Sequence, residues 1–173
     1  MLNDQNIMDP VFATFIDRMG IAAETDGMSP IAGRLYALLL LSDDPRSLDE
    51  LADALGVSKA SVSTDARRLL ERGIVERVAK PGDRRDYYEL SPDSFARIIE
   101  ARVTRWRRMQ LLANDVRDQA DKVSAIVRKR IDAIDEVEAS VITPIEQALA
   151  DWKAERKQAA TTNRRTVAKA RKR

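Results

Sequence analysis

The sequence lacks cysteine and histidine altogether. Without cysteine it can form no disulfide, no thiol redox sensor and no cysteine-based zinc site. Without histidine it lacks the commonest general base, the commonest metal ligand and the side chain that changes charge near neutral pH. It also contains neither a glycine-rich phosphate loop nor a nucleophile paired with histidine. We therefore predict that the protein is not an enzyme and has no catalytic residues and no cofactor.

Acidic residues recur in one place at a spacing that could hold a hard cation. Asp115, Asp118 and Asp121 follow one another at intervals of three residues. Such a row on a helix is far more often a solvated face than a cation site. We therefore predict no metal site.

Long hydrophobic runs are absent as well. The longest run, Leu35–Leu41, is far shorter than the roughly 20 residues that a helix needs to span a bilayer. The start of the chain carries acidic residues rather than the basic stretch of a secretion signal. The sequence therefore predicts a cytoplasmic protein with no membrane segment.

Positive charge is unevenly distributed along the chain. There are 30 basic and 28 acidic residues, but eight of the basic residues, and none of the acidic ones, lie in residues 156–173. Residues 1–155 thus hold 22 basic and 28 acidic residues. A net acidic protein whose basic residues are concentrated in a few places is suited to bind nucleic acid through those places rather than over its whole surface.

The pattern from residue 47 to residue 70 predicts two short helices across a tight turn. Ser47 and Glu50 form a capping box, after which apolar residues recur at helical spacing. Gly56 ends this helix, because glycine accepts the left-handed conformation that follows a helix end. Ser58 caps the next helix, which repeats an apolar stripe. This arrangement is a helix-turn-helix.

The other face of the second helix is small, hydroxylated or basic, a mixture suited to the DNA major groove. Small residues allow close approach, hydroxyl groups bond phosphates or base edges, and arginine reads guanine through a bidentate contact. The predicted DNA-contacting residues here are Ser58, Lys59, Ala60, Ser61, Ser63, Thr64, Arg67 and Arg68.

A β-hairpin is predicted after the second helix. Its strands run from residue 74 to about residue 78 and from residue 87 to residue 90, and residues 80–86 form the turn. Adjacent arginines at an exposed hairpin tip suit a narrow, electronegative minor groove. The predicted DNA-contacting residues of the hairpin are Lys80, Arg84 and Arg85.

These elements together resemble the MarR-type winged helix-turn-helix regulators, and Asp83 and Arg85 match the D-x-R element of that family's wing. The chain resembles more narrowly the GbsR-like branch, which is linked to uptake and synthesis of compatible solutes such as glycine betaine. The segments that carry this narrower resemblance are Gly33–Leu39, Ser61–Thr64 and Arg85–Glu89. The resemblance covers residues 28–92 well. It implies a mainly α fold with a small β-wing, in which a winged helix-turn-helix domain carries a long helical dimerisation arm.

Four segments are predicted along the chain. Residues 1–27 hold an N-terminal helix, which ends at Gly20 before a loop and which the resemblance places in the dimer interface. Residues 28–91 form the DNA-binding domain, and residues 92–155 form the arm. Residues 156–173 form a basic tail that has no apolar stripe and should be disordered alone.

The arm carries an apolar stripe that advances by three or four residues from Phe95 to Val137, as in a coiled coil or a long helical hairpin. The polar stretch 114–121 can hide a bend, and Thr143–Glu146 has the pattern of a capping box that opens a last helix. Because the domain cannot cover a stripe of this length, we predict a homodimer in which a second arm covers it and two winged helices meet two DNA half-sites. The alternative is a monomer whose arm folds back on itself.

Aromatic residues are candidates for a small-molecule effector site. The resemblance implies a ligand site where the arm meets the DNA-binding domain, and quaternary ammonium ligands such as choline or glycine betaine favour aromatic cages. The candidate effector-binding residues are Tyr36, Tyr88, Phe95, Trp106 and Trp152. Trp106 lies on the apolar stripe and Trp152 lies among the apolar residues of the last helix, so packing is the alternative role for both.

We predict a sequence-specific transcriptional regulator, a repressor, that acts at the nucleoid as a homodimer on a near-palindromic operator in double-stranded DNA. One alternative is an architectural nucleoid-type protein with little sequence preference, which the basic tail favours and the outer face of the second helix opposes. Another is a winged helix used for protein contact, which the basic residues oppose. The tail itself could contact phosphates, enter an adjacent groove or serve as an inert solubilising end.

Overall fold

A computed structural model describes residues 9–119 and 122–170, and their side chains as far as residue 159. The chain is mainly helical with one small sheet, so the predicted fold class is confirmed. The elements, in order, are α1 Pro10–Thr25, α2 Pro30–Leu40, β1 Arg46–Ser47, α3 Leu48–Leu55, α4 Lys59–Glu71, β2 Val75–Ala79, β3 Asp86–Leu90, α5 Ser94–Arg117, α6 Ala125–Val137, a π-helical segment Glu138–Ile142, and α7 Thr143–Ala170. Two compact units divide the chain, Met1–Arg97 and Ile98–Arg173.

The helix-turn-helix forms as the local sequence dictates. The Ser47 hydroxyl accepts a hydrogen bond from the Glu50 amide at 3.4 Å, and the Glu50 carboxylate accepts one from the Ser47 amide at 2.8 Å. Gly56 ends α3 with a φ of 64°, in the left-handed region. Ser58 caps α4 by accepting from the Ser61 amide. The capping box, the glycine turn and the second cap are therefore all confirmed.

Helix α1 does not end at Gly20, contrary to the prediction. It continues to Thr25, so most of the predicted loop is helical. Gly20 is buried where α1 crosses α2, and Gly33 of α2 lies against it. A Cβ atom on Gly33 would lie 2.3 Å from the Met19 carbonyl oxygen, so the two backbones are in direct contact. Glycine is suited both to a helix end and to a close crossing of two helices, so the sequence alone suggested a helix end. Only the packing of α1 against α2 distinguishes the two.

The sheet has three antiparallel strands in the order β1–β3–β2. Strands β2 and β3 pair residues 75–79 with residues 86–90 and form the predicted wing. The short strand β1 pairs with β3 on its other side. It was not predicted, because two residues show no periodicity and only the pairing with β3 defines the strand.

The first unit encloses its own apolar core. Its fully buried large apolar side chains come from α2, α3, α4 and the start of the wing: Leu35, Leu38, Leu51, Val62, Leu69, Ile74 and Val75. Helix α4 packs against α2, α3 and β2. This packing sets the position of α4 relative to the wing and leaves its opposite face uncovered.

The helices of the second unit are broken where the sequence is polar. Helix α5 ends at Arg117, and α6 begins after Ser124, whose hydroxyl accepts from the Val127 amide. The described residues between these helices include no α-helical turn, so the arm is not one continuous helix. Within the described part of the chain, no helix is both long and apolar enough to cross a membrane.

The capping box predicted at Thr143–Glu146 does not form. Helix α6 leads through the π-helical segment directly into α7. Pro144 has no amide to donate, so the regular hydrogen-bond pattern is interrupted in the preceding turn, where the π-helical segment lies. The Glu146 carboxylate instead accepts a hydrogen bond from the Arg107 guanidinium of α5.

Helix α7 extends to Ala170, so the backbone of residues 156–170 is helical where the sequence predicts a disordered tail. Alanine, lysine and arginine make up most of this stretch, and they propagate a helix that has already been started. The last three residues of the predicted tail, 171–173, lie outside the described residues.

Candidate nucleic-acid interface

Helix α4 has one buried face and one open face. Its buried residues are Val62, Asp65, Ala66 and Leu69. All eight residues that were predicted to contact DNA on or before this helix are exposed or half-buried. The open face therefore carries the predicted mixture of small, hydroxylated and basic side chains.

Two hydroxyl groups on this face are bonded within the helix itself. Ser58 and Ser61 lie with their hydroxyl oxygens 2.8 Å apart. Thr64 donates to the Ala60 carbonyl oxygen at 2.9 Å. Because its hydrogen is used in this way, the Thr64 hydroxyl can only accept hydrogen bonds from a ligand, and its methyl group offers an apolar contact.

Six basic side chains of α4 and the wing were predicted to contact DNA, and three of them have a carboxylate partner. We call these three the paired cations. The pairs are Lys59 Nζ with Asp49 Oδ1 at 2.8 Å, Arg68 Nη1 with Asp65 Oδ1 at 3.1 Å, and Arg85 Nη2 with Asp83 Oδ2 at 2.7 Å.

The other three basic residues, Arg67, Lys80 and Arg84, form no ion pair with any residue that the structure describes, and we call them the unpaired cations. Lys80 instead lies over the ring of Tyr87, with Nζ 4.1 Å from the ring centroid. The guanidinium groups of Arg67 and Arg84 are on exposed residues. Among the six, the unpaired cations have the charge that is most available to a phosphate.

The wing contains a closed hydrogen-bond network. The Asp83 carboxylate accepts from the Arg85 amide at 2.9 Å, from Arg85 Nη2 at 2.7 Å and from the Tyr87 hydroxyl at 2.7 Å. These donors, the Arg85 side chain first, hold the pKa of Asp83 well below its usual range. The same hydrogen bond to Asp83 raises the pKa of Tyr87. The network fixes the Arg85 side chain along the turn.

Sequence reasoning missed two partners of the basic residues. Asp65 is buried in α4 and binds both Arg68 and the Ser29 hydroxyl at the start of α2. The three-residue spacing of Asp65 and Arg68 could have indicated their contact. Ser29 and Asp65 are 36 residues apart in sequence, so no local pattern could have indicated their contact. Tyr87 was assigned only to a strand, although its hydroxyl belongs to the wing network.

The candidate effector residues lie in different settings. Tyr36 and Tyr88 are buried in the first unit, 5% and 7% exposed, and burial raises the pKa of Tyr88. The exposed members of the set are Phe95, Trp106 and Trp152. The Trp152 ring is already covered by the guanidinium of Arg156, with Cζ 4.8 Å from the ring centroid. Burial of the two tyrosines agrees with a packing role, and Arg156 occupies one face of the Trp152 ring.

No group of three acidic residues suited to a metal ion occurs among the residues that the structure describes. Asp121, the third member of the acidic row, lies outside them.

Comparison with known proteins places this architecture in a family. A family model described as the MarR family matches residues 26–86. The chain is similar to the HTH-type transcriptional regulator MmpR5 of Mycobacterium tuberculosis, with 39% identity over 112 residues, 64% of this chain and 68% of that protein. It is also similar to the HTH-type transcriptional repressor OpcR of Bacillus subtilis, with 28% identity over 94 residues, 54% of this chain and 51% of that protein.

A solved structure agrees with the sequence comparisons. A crystal structure of a transcriptional regulator superposes with a TM-score of 0.67 at 33% identity, covering 84% of this chain and 99% of that one. The helix-turn-helix, the wing with its Asp83–Arg85 pair and these similarities agree with one another. The chain therefore belongs to the MarR family of winged helix-turn-helix proteins and is a DNA-binding transcriptional regulator.

Proposed function

We propose that the protein is a sequence-specific repressor that binds a near-palindromic operator as a homodimer. The observation that carries this proposal is the open face of α4, where Arg67 has no carboxylate partner among the described residues and stands beside small and hydroxylated side chains. A side chain with a free guanidinium on a helix that fits the major groove is suited to bidentate contact with guanine.

The other site residues contact different parts of the DNA. Ala60 and Thr64 allow close approach to base edges and thymine methyl groups, and Ser58, Ser61 and Ser63 offer hydroxyl groups to the backbone or the bases. Lys80 and Arg84 at the wing contact phosphates or the minor groove. Among the paired cations, Arg68 and Arg85 add phosphate contacts from fixed positions, whereas the exposed Lys59–Asp49 pair separates before Lys59 binds a phosphate.

Dimerisation is supported by the uncovered apolar side chains of the second unit. Trp106, Leu112 and Val116, which lie on the predicted stripe, are 46%, 63% and 40% exposed. Covering them with the arm of a second copy removes this apolar surface from water, at about 25 cal/mol for each Å² buried. The two winged helices then present two α4 helices to successive turns of the DNA.

We further place the protein in the GbsR-like branch, on the three segments that carry that resemblance, with choline or glycine betaine as its effector. The name repressor belongs to OpcR, and we extend it to this chain as part of the proposal. Because its ligand is chromosomal DNA, the protein would act at the nucleoid in the cytoplasm.

The decisive experiment is selection of a binding site from random double-stranded DNA, followed by affinity measurements on the selected duplex and on a scrambled one. Arg67→Ala should weaken binding to the selected duplex by about tenfold or more and reduce the preference between the two duplexes. Arg18→Ala, which removes an exposed arginine of α1, is the matched control; its mass in solution is measured alongside, and with the mass unchanged it should change neither value.

Genome-wide binding separates the proposal from its alternative. A repressor should occupy a few sharp sites, and deletion of the gene should raise transcription beside them. Broad coverage without a selectable sequence would instead support an architectural protein and would overturn the proposal.

The effector is tested separately, by tryptophan fluorescence during titration with choline and with glycine betaine. A saturable change together with a shift in affinity for the selected duplex would support the assignment. Fluorescence and affinity that stay constant with both ligands would rule out these effectors while leaving the DNA-binding proposal intact.

A further inference from the structure

Asp65 differs from the other carboxylates of the interface in its burial. Its side chain is 6% exposed, whereas that of Arg68, to which it binds, is 60% exposed. Asp65 Oδ2 accepts from Ser29 Oγ at 2.6 Å, and Oδ1 accepts from Arg68 Nη1 at 3.1 Å. Each carboxylate oxygen therefore has a donor, as a buried carboxylate requires.

Ser29 is itself held in place, because it caps α2. Its hydroxyl oxygen accepts from the Ala32 amide at 3.0 Å while its hydrogen is donated to Asp65. The positive end of the α2 dipole also favours a carboxylate at this position. A continuous series of hydrogen bonds thus connects the first turn of α2 with the guanidinium of Arg68.

Packing alone does not fix the Arg68 side chain. Arg68 borders a cleft of about 270 Å³ that is also lined by Gly27, Met28 and Arg72. An arginine beside open space can adopt many rotamers. Binding a phosphate selects one of them, at a cost in side-chain conformational entropy. The hydrogen bond to Asp65 restricts this freedom before DNA arrives.

The position of Arg68 on α4 indicates what it can reach. Arg68 follows the buried Asp65 by three residues, so it lies at the edge of the open face, whereas Arg67 is turned further outward. Asp65 binds the Nη1 atom of Arg68, and a guanidinium has further donors on Nη2 and Nε. These donors can bind a phosphate while the contact with Asp65 persists.

We propose that Asp65 is a positioning residue for DNA binding: it holds Arg68 at the edge of α4, in the orientation in which Arg68 meets a DNA phosphate. This inference rests on the proposed DNA interface and adds a residue that does not touch DNA. Ser29 has the same role one step further away, since it orients the carboxylate.

A double-mutant cycle in DNA binding tests the proposal. Affinity for the selected duplex is measured for the full chain with Asp65→Asn, with Arg68→Ala and with both substitutions. Arg68→Ala should weaken binding about tenfold when Asp65 is present and about twofold or less in the Asp65→Asn background, because a mobile Arg68 contributes less. A purely structural role of Asp65 would leave the effect of Arg68→Ala the same in both backgrounds.

The second variant is Ser29→Ala, which keeps the charge of Asp65 and removes the donor that orients it. In the Ser29→Ala background, as in the Asp65→Asn background, Arg68→Ala should weaken DNA binding less than it does in the wild type. If circular dichroism shows that Asp65→Asn does not fold, Ser29→Ala replaces it in the double-mutant cycle. An Arg68→Ala effect that is equal or larger in the Asp65→Asn background would overturn the proposal, since Asp65 would then be indifferent to Arg68 or compete for it.

Failure of this inference is distinguishable from failure of the proposed function. If Arg67→Ala weakens binding and Arg68→Ala does not, the DNA interface stands and the role of Asp65 is overturned. If neither substitution changes binding to the selected duplex, the interface itself is wrong.

Discussion

The two units of the chain are held together by different interactions. The first unit buries large apolar side chains such as Leu35, Leu51 and Leu69 completely. In the second unit the buried apolar residues among those described are Val103, Ala113 and Ile142, while larger side chains are exposed. Ion pairs also link α5 to the elements that follow it. The pairs are Arg107 with Glu138 and Glu146, Arg117 with Asp135 at 2.5 Å, and Lys153 with Glu100.

This difference indicates a division of tasks. The first unit is stable through its own core, so it can present α4 and the wing in a defined position. The second unit uses ion pairs between its helices, and the apolar side chains that it leaves exposed are those that the proposed dimer would cover. Four tests can break or refine this comparison, and they follow in order of decreasing effect.

The largest effect is expected from a charge placed on the exposed stripe of the second unit. Trp106→Glu combined with Leu112→Glu should abolish the dimer, because two buried carboxylates without partners cannot be accommodated in an apolar interface. Affinity for the operator should then fall by about 100-fold or more, since the half-sites are no longer bound together. Sedimentation would show the mass of a single chain.

The matched control for the stripe is Leu40→Glu, which alters an exposed leucine of the first unit. It should leave the mass and the operator affinity unchanged. A dimer that survives the double substitution would show that the stripe is not the interface.

The next largest effect is expected at the crossing of α1 and α2. Gly33→Ala should lower the free energy of unfolding by about 2 kcal/mol or more, because the new Cβ atom would overlap the Met19 carbonyl oxygen and Ala23 Cβ. Gly56→Ala is the control: its site has space, and the substitution should cost only about 1 kcal/mol through its φ of 64°. Denaturant unfolding at several protein concentrations would measure both. Equal costs for the two substitutions would contradict the close crossing.

Acid should weaken the second unit before the core of the first. Hydrogen bonds from Thr143 and Arg107 lower the pKa of Glu138, and Arg107 lowers that of Glu146, from ordinary values of 4.5. A carboxylate with a lowered pKa stabilises the fold above its ordinary pKa, and this contribution is lost as the pH falls through the lowered value.

Arg107→Met should therefore be less stable than the wild type at neutral pH. The difference should be constant down to about pH 5 and should disappear at lower pH, where the carboxylates are protonated in both proteins. Thermal unfolding followed by circular dichroism would check this. A difference that persists in acid would mean that Arg107 acts through packing rather than charge.

The smallest effect is a gain of affinity. Asp49→Asn should strengthen binding to any duplex by about twofold to fivefold. In the wild type, Lys59 must give up its ion pair with Asp49 before it binds a phosphate, and the substitution removes that cost. Asp53→Asn removes the same charge from an exposed residue of α3 that has no described ion pair, and should change affinity less. The gain should vanish when Lys59 is replaced by alanine, and a gain that persists would be a general charge effect.

The sequence predicted the helix-turn-helix well because its signals are local. Ser47, Glu50, Gly56 and Ser58 each act on backbone groups within a few residues, so tertiary structure was not needed to interpret them. The wing followed from alternation and its turn residues in the same way.

Other features could not be predicted from the sequence, because the same residues are compatible with two different local structures. Gly20 could end a helix or lie in a helix crossing, and Thr143–Glu146 could cap a helix or continue one. In both cases the outcome was decided by residues distant in sequence, Gly33 and Arg107. The division of the basic residues into paired and unpaired cations was likewise invisible, since composition records each charge but not its partner.

The three carboxylates of the paired cations act as internal counterions. Half of the six basic side chains at the proposed DNA surface arrive with their charge already balanced, so fewer mobile ions are released when the protein meets DNA of arbitrary sequence. The residence time on random DNA should then be short, and the proposed dimer would sample more of the chromosome before it reaches a site suited to Arg67.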